Sequence, residues 1–308
     1  MDLPRDSLRT GRLAEIDTLD RVKRLIVNAD DFGLTGGINR AIVDLHNRGA
    51  LTSTTLMAKA KSTLEAASLA LDSPDLGVGC HVVLVDGEPC LPTSEIPTLV
   101  DRATGRFRTS LGKFVRDLFL CRISSSEILA EAGAQIARLQ SLGIELTHVD
   151  THKHTHIFPR VLAPLLEAAK QHRIGAIRNP FEPQWSLAAT PGAPLLRRAQ
   201  VKIVGRFRPA FQSLVATAGL ATTDGAIGVV ATGTLEQRTL SSLLQAMPVG
   251  NWELVTHPGY DDVELANAGT RLMASRQVEL EALSSADLGN GIQLIQFRQL
   301  MRPGRDSS

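Results

Sequence analysis

Short apolar runs alternate with stretches of helical spacing along most of the chain. Arg24-Leu25-Ile26-Val27 starts as an apolar run and ends in Asn28-Ala29-Asp30-Asp31-Phe32-Gly33, the pattern of a buried strand that bends at its end. Ile38, Ala41, Ile42 and Leu45 follow at helical spacing and stop at Gly49, which predicts a helix. The same alternation then repeats. Strands are predicted over 51–57, 78–84, 145–151, 175–178, 226–231, 252–256 and 292–297. Helices are predicted over 62–71, from Ser124–Ser126 to Gly143, after Pro159, after a capping box at Thr234-Leu235-Glu236-Gln237, and over 270–286. Residues 86–123 read as a long loop with short helices, and the proline-marked stretch 180–194 reads as a loop. About seven strand-then-helix units predict an α/β fold with a parallel sheet, either a barrel or an open doubly wound sheet, and an irregular, seven-stranded (β/α) barrel is preferred. No Gly-x-Gly-x-x-Gly follows the first strand, which weakens a dinucleotide-binding reading. One barrel domain over 23–298 is expected, with an N-terminal tail 1–22 and a C-terminal tail 299–308.

One predicted strand breaks the apolar rule. Thr147-His148-Val149-Asp150-Thr151-His152-Lys153-His154-Thr155-His156 carries four of the chain's eight histidines. His148, Asp150, His152, His154 and His156 share one parity, so an extended backbone would put them on one face. Burying unpaired polar groups costs about 1–3 kcal/mol each, so this face is exposed or lines a polar site. Polar groups also end the first strand (Asp30, Asp31), interrupt the third (His81) and follow the Trp252 strand (His257). Sites fed from the C-terminal ends of several strands are a barrel habit.

Composition narrows the class. The 308 residues are 43% hydrophobic and 21% charged with net charge +1, ordinary for a globular protein and without a general attraction for nucleic acid. Cys80, Cys90 and Cys121 are scattered, which suits packing residues in a reducing compartment and no Cys-x-x-Cys metal site. No apolar leader or membrane-length run occurs, so a cytoplasmic, soluble protein is expected. Peripheral membrane association and a homo-oligomer stay open.

Two imidazoles and a carboxylate suit a catalytic divalent metal with open positions. The candidate donors are Asp30/Asp31, His81 and the 148–156 cluster. Of the two neighbouring aspartates, one could bind metal while the other accepts a proton from water, with His257 as candidate general acid. The bland readings are a core histidine for His81, a turn or cap for Asp30-Asp31, surface positions for His46 and His172, and support of the site or packing, not ligation, for His148. Arg197, Arg198, Lys202, Arg206 and Arg208 read most simply as a solvated helix face, with a membrane-surface contact as the minority reading.

Asn28-Ala29-Asp30-Asp31-Phe32-Gly33, Gly79-Cys80-His81, the 147–156 stretch and Thr256-His257-Pro258-Gly259-Tyr260 together resemble the YdjC-like carbohydrate deacetylases, which include chitooligosaccharide deacetylases. The likeness runs in order from about residue 23 to 298. It implies a (β/α) barrel of the polysaccharide-deacetylase (glycoside hydrolase/deacetylase) type. It also implies one divalent metal ion (magnesium or zinc, with nickel or cobalt as alternatives) on Asp31, His81 and His152. By the same resemblance Asp30 is the general base and His257 the acid for the leaving amine. Asp150, His154, His156 and Arg178 would support the metal or meet substrate. The implied reaction is hydrolysis of an N-acetyl group on an N-acetylglucosamine-type sugar, releasing acetate. The loop from Asn179 to Trp185 and the basic segment after it resemble the hopanoid-biosynthesis-associated branch, which implies a lipid-linked substrate. Cys80 departs from the Leu or Met common before the histidine. The competing readings are a metal-dependent phosphoesterase on a similar barrel, which would need a second metal, and a non-catalytic carbohydrate-binding protein.

Overall fold

The computed structural model describes residues 22–190, 192–289 and 291–301. Its centre is the strand β1 (Lys23–Phe32), whose last eight residues are all buried. Around it run the helix α1 (Gly36–Asn47), strand β2 (Ser53–Leu56), helix α2 (Thr63–Leu71) and strand β3 (Gly77–Val82). Helices α3 (Leu111–Phe119) and α4 (Ser125–Ser141) precede strand β4 (Leu146–Thr151), and helix α5 (Pro159–Gln171) follows it. Then come helices α6 (Gln184–Ala189), α7 (Leu195–Val204) and α8 (Arg208–Ala218), strand β5 (Gly225–Ile227), helix α9 (Gln237–Ala246) and strand β6 (Gly250–Thr256). Helices α10 (Val263–Ala266) and α11 (Ala274–Ser284) and strand β7 (Ile292–Leu294) end the series.

The sheet order is β4-β3-β2-β1-β6-β5, with β7 beside β1, and all pairs are parallel. Parallel neighbours need crossovers, and the intervening helices supply them. The sheet curls into an incomplete barrel. Backbone hydrogen bonds of segment 175–181 bridge the edges, from Arg178 N to Val149 O (3.1 Å) on one side and from Ala226 N to Phe181 O (3.3 Å) on the other. The expected irregular seven-stranded α/β barrel is therefore the architecture found.

Several details differ from the sequence reading. Gly175–Arg178 makes only isolated bridges to Val149 and Ala221, because it spans the gap between the sheet's edges and joins no regular ladder. The strand expected over 226–231 stops at Ile227, where Gly228 turns the chain at φ 83°. The capping box at 234–237 does not form; Thr234 Oγ1 donates to Ala231 O instead, and the helix begins at Gln237 behind Glu236. Three arginines of the basic segment are internal struts. Arg197 donates to Val230 O (3.1 Å), Arg198 to Ala193 O (3.3 Å), and Arg208 to Phe181 O and Glu182 O (both 3.2 Å). Lys202 and Arg206 remain exposed. His46 and His172 are half-buried, bonded through Nδ1 to Leu51 O and to Gln140 Oε1.

The N-terminal tail lies outside the described residues apart from Val22. The C-terminal tail begins inside a 3-10 turn, Phe297–Leu300, and lies beyond them from residue 302. Phe297 closes the lower end of the curl in a small cluster with Ile26, Ala176 and Ile295. Its ring stacks on His148, with centroids 3.7 Å apart and planes 12° apart. Gly79 makes room for that stack, since a Cβ there would sit 2.5 Å from the His148 ring. The packing reading of His148 is what the geometry shows.

Candidate active site

The inside of the curl is polar where barrels usually carry branched apolar side chains. Asn28, Asp30, His81, His148, Asp150 and Glu253 sit on strands β1, β3, β4 and β6, all buried. In the parallel register His81 and Asp150 are direct partners, so their side chains share one face of adjacent strands. Ala29 pairs with Thr256 at the ends of β1 and β6, which brings Asp30 near His257.

Asp31, next to last in β1, has φ 67°. Left-handed backbone is uncommon for a residue with a Cβ and concentrates at functional positions. The bend turns Asp31 to the same side as the ends of β3 and β4. Its Oδ1 lies 3.6 Å from His81 Nε2 and 3.3 Å from His152 Nδ1. The two imidazole nitrogens are 3.2 Å apart. These atoms form a cluster within 4.8 Å of one another. The other nitrogen of His81, Nδ1, is 2.7 Å from Asp150 Oδ1. An ionised carboxylate only accepts, so Nδ1 carries the proton, and Nε2 is the nitrogen that presents a lone pair to the cluster once the ring gives up its second proton to ligate a cation. Asp31 Oδ1 is buried without a hydrogen-bond partner. A buried carboxylate oxygen left unpaired beside two imidazoles is the donor set of a divalent cation, so the residues fit such a group.

A second potential metal cluster, Asp30, His81 and Asp150, is already neutralised. Arg178, fully buried, forks onto Asp30 with Nη1 to Oδ2 (2.9 Å) and Nη2 to Oδ1 (2.6 Å). Its Nη1 also donates to Asp150, and Nε to Glu253 at 2.6 Å. A guanidinium occupying that space leaves no room or charge deficit for a second cation. Burial works against the Asp30 carboxylate, but Arg178, with His81 and His257, holds its pKa well below the usual range. For Asp31, burial is likewise outweighed by Arg276, His152 and His81. Burial lowers the His81 pKa, yet Asp150, Asp30 and Asp31 raise it to about 9. Burial, above all, lifts the third carboxylate of the Arg178 network, Glu253, to about 7.

His257 points Nε2 towards Asp30 Oδ2 at 3.7 Å, and its backbone N donates to Glu279 Oε2 at 2.6 Å. Burial first, then Arg276 and Arg178, lower its pKa to about 4 against the pull of Asp30 and Asp31. The resting imidazole is therefore neutral near pH 7.

The 148–156 cluster divides where the strand ends. The shared face holds only through Thr151; a 3-10 turn, His152–Ile157, follows, with Lys153 and His154 both left-handed. That turn sends the side chains apart. His152 enters the metal-type cluster. His156 folds back, its Nδ1 2.7 Å from Thr151 Oγ1, and lies buried against Phe211. His154, half-buried beside His156, lies near enough to Asp30, His257 and Arg178 for their charges to act on it. The structure thus brings together Asp30, Asp31, His81, Asp150, His152, Arg178 and His257, with His154 beside them and His156 turned into the protein.

Sequence reasoning missed Glu253, Arg276 and Glu279. Glu253 interrupts the apolar run Trp252–Val255, and Arg276 and Glu279 fall on the buried face of α11 with Leu280 and Leu283. Charges at core positions were the available signal.

The chain matches the family described as YdjC-like protein over residues 24–293 and belongs to it. A carbohydrate deacetylase of Brevibacillus brevis is 32% identical over 285 residues, covering 90% of this chain and 99% of that protein. A carbohydrate deacetylase of Thermoanaerobacter pseudethanolicus is 30% identical, covering 87% and 93%. Among solved structures, an Enterococcus faecalis V583 protein put forward as a cellobiose-phosphate cleavage protein superposes with a TM-score of 0.72. It is 25% identical, and the match covers 91% of this chain and all of that one.

Proposed function

We propose that this YdjC-like protein is a hydrolase that removes the N-acetyl group from an N-acetylglucosamine-type sugar, releasing acetate, with one divalent metal held by Asp31, His81 and His152. The observation that carries the reading is the convergence of Asp31 Oδ1, His81 Nε2 and His152 Nδ1, with His81 locked by Asp150. The relatives named carbohydrate deacetylases support the reaction class. Such a metal, when bound, supplies polarisation of the amide carbonyl and a lowered pKa for water.

The chain's own residues account for the proton movements. Asp30 stays ionised under the Arg178 fork and accepts a proton from the attacking water. That proton crosses to Nε2 of His257, which rests neutral 3.7 Å away. His257 then protonates the leaving nitrogen, so the amide C–N bond breaks to give acetate and a free amine. Arg178 keeps Asp30 and Asp150 in register and compensates their buried charge.

Two imidazoles with one carboxylate favour zinc, cobalt or nickel over magnesium, which prefers an all-oxygen shell. The Arg178-filled second cluster argues against a two-metal phosphoesterase. For the finer substrate, a lipid-linked sugar of the hopanoid-associated type is our reading. Leu195 and Leu196 on α7 are 84% and 72% exposed and Ile203 is 59% exposed. Lys202 and Arg206 lie on the same segment, a combination that suits peripheral contact with an anionic membrane surface. Among the described residues no helix is long and apolar enough to cross a membrane.

The test is acetate release from a panel of chitooligosaccharides and N-acetylglucosaminyl lipids, comparing the natural protein with Asp30→Asn. Loss of about a hundredfold or more in the variant is expected. No acetate from any N-acetyl sugar by the metal-loaded protein would sink the proposal.

A further inference from the structure

Helix α11 drives two charged side chains, one turn apart, into the site. Arg276 and Glu279 are 0% and 1% exposed. Glu279 binds the backbone N–H groups of His257 (2.6 Å) and Gly233 (3.1 Å). Arg276 reaches further. Its Nη2 donates to Asp31 Oδ2 at 2.5 Å and its Nε to Leu272 O at 3.1 Å. The path is tight: a Cβ at Gly259 would lie 3.1 Å from Arg276 Cδ. Gly259 N also donates to the Arg276 carbonyl at 3.2 Å. The glycine of His257-Pro258-Gly259 therefore lets this side chain pass, and the guanidinium has little freedom to withdraw.

The consequence falls on Asp31. Its two carboxylate oxygens are not equivalent. Oδ2 is engaged by a fixed cation, while Oδ1 has no hydrogen bond and faces His81 and His152. A carboxylate can ligate a cation through one oxygen or through both. We propose that Arg276 is a positioning residue that restricts Asp31 to a single ligating oxygen, Oδ1, and so keeps a coordination position open for substrate or water. The inference rests on the reading of Asp31, His81 and His152 as a metal site.

Two roles for Arg276 predict opposite signs. If it merely supports Asp31 structurally, removing it loosens a ligand and weakens metal binding. If it blocks Oδ2, removing it uncovers a second donor and deletes a positive charge beside a dication, so binding holds or tightens while an open position is lost.

The experiment titrates the metal-free protein with cobalt(II), whose visible spectrum reports coordination number, in the natural chain and in Arg276→Met, Arg276→Gln and Arg276→Lys. Affinity in the two neutral variants should be unchanged or higher, with a clearly weaker visible band from a higher coordination number. Acetate release should fall by about tenfold or more through kcat. Arg276→Lys, which keeps a cationic donor, should restore the spectrum of the natural protein. Either neutral variant that stays folded suffices, and folding is checked by circular dichroism. An unchanged spectrum, or an affinity lowered by about tenfold or more as for lost ligand support, would overturn the inference while leaving the metal site standing. A natural protein that binds no cobalt, or an Asp31→Asn variant that binds it identically, would overturn the metal-site reading and this inference with it.

Discussion

Arg178 and Asp30 form a buried fork: Nη1 to Oδ2 at 2.9 Å and Nη2 to Oδ1 at 2.6 Å, with neither side chain more than 4% exposed. The same guanidinium also serves Asp150 and Glu253. Three carboxylates in the curl are tolerable only because one planar, five-donor cation meets them all. A lysine presents a point charge and cannot fork. Arg178→Lys should therefore lose on the order of 3–5 kcal/mol of stability, the usual cost of leaving buried charge uncompensated. Urea denaturation measures it. A variant within about 0.5 kcal/mol of the natural protein, the range of a neutral surface change, would refute the role assigned to the fork.

In the proposed metal site Asp150 would act through His81, and its removal separates tautomer control from ligation. Asp150→Asn keeps the shape but replaces a pure acceptor with an amide that can point either group at Nδ1. His81 Nε2 then loses its assured lone pair. Metal affinity should fall by about 10–100-fold, as for other partners of metal-binding histidines. Calorimetric titration of the metal-free variant is the check, and affinity equal to that of the natural protein would count against the tautomer argument.

Legibility in the sequence followed physical locality. The strands Leu25–Asp31 and Val78–His81 could be read because a buried parallel strand is a short apolar run with little else to confuse it, and Leu146–Thr151 because its His and Asp alternate with period two. Asp31, His81 and His152 stood out because core positions rarely hold such groups. What escaped was set by tertiary context. The strand's end at Thr151 was legible, but the shared face that parity would give through His156 fails because nothing local marks Lys153 and His154 as left-handed. Arg178 appeared as a minor polar residue because three carboxylates from β1, β4 and β6 converge on it only after the sheet curls. Arg276 lies 245 residues from Asp31, and a helical arginine looks solvated until its helix is docked. The capping box at Thr234 failed because the turn starting at Gly228 held Thr234 Oγ1 on Ala231 O.

Gly79 should tolerate no side chain. Its built Cβ falls 2.5 Å from His148 Cε1 and Nε2, and the ring cannot retreat because Phe297 stacks on its other face. Gly79→Ala should cost about 1–3 kcal/mol, the range for overpacking a filled interior. The double variant Gly79→Ala with His148→Ala should recover part of that loss relative to His148→Ala alone. Additive losses in the denaturation cycle would contradict the steric account.

Acid should unfold this protein through its neutral histidines. Burial leads the lowering of His257 to about 4, of His154 to about 3, and of His148 and His156 well below the ordinary value of 6.5. Between 6.5 and those values the unfolded chain binds protons that the folded one refuses, so stability drops as pH falls. Glu253 and Glu279, raised to about 7 chiefly by burial, work the other way. Their protons are held by the folded state from 4.5 to 7, so their contribution is lost as pH rises through that window. The two effects partly offset above pH 4.5; below it the histidines act unopposed, and the ionised Asp30 and Asp31 add to the loss. His148 offers a clean probe, because its ring only packs on Phe297 and bonds Thr147 Oγ1 at 2.9 Å. Phenylalanine keeps the stack and removes the titration. The stability of His148→Phe relative to the natural protein, both in chelator, should improve progressively as pH falls below 6.5, by at most about 1.4 kcal/mol for each pH unit. Denaturation at a series of pH values from 8 to 4 gives the comparison. Two parallel profiles would show that His148 is not held neutral by its burial.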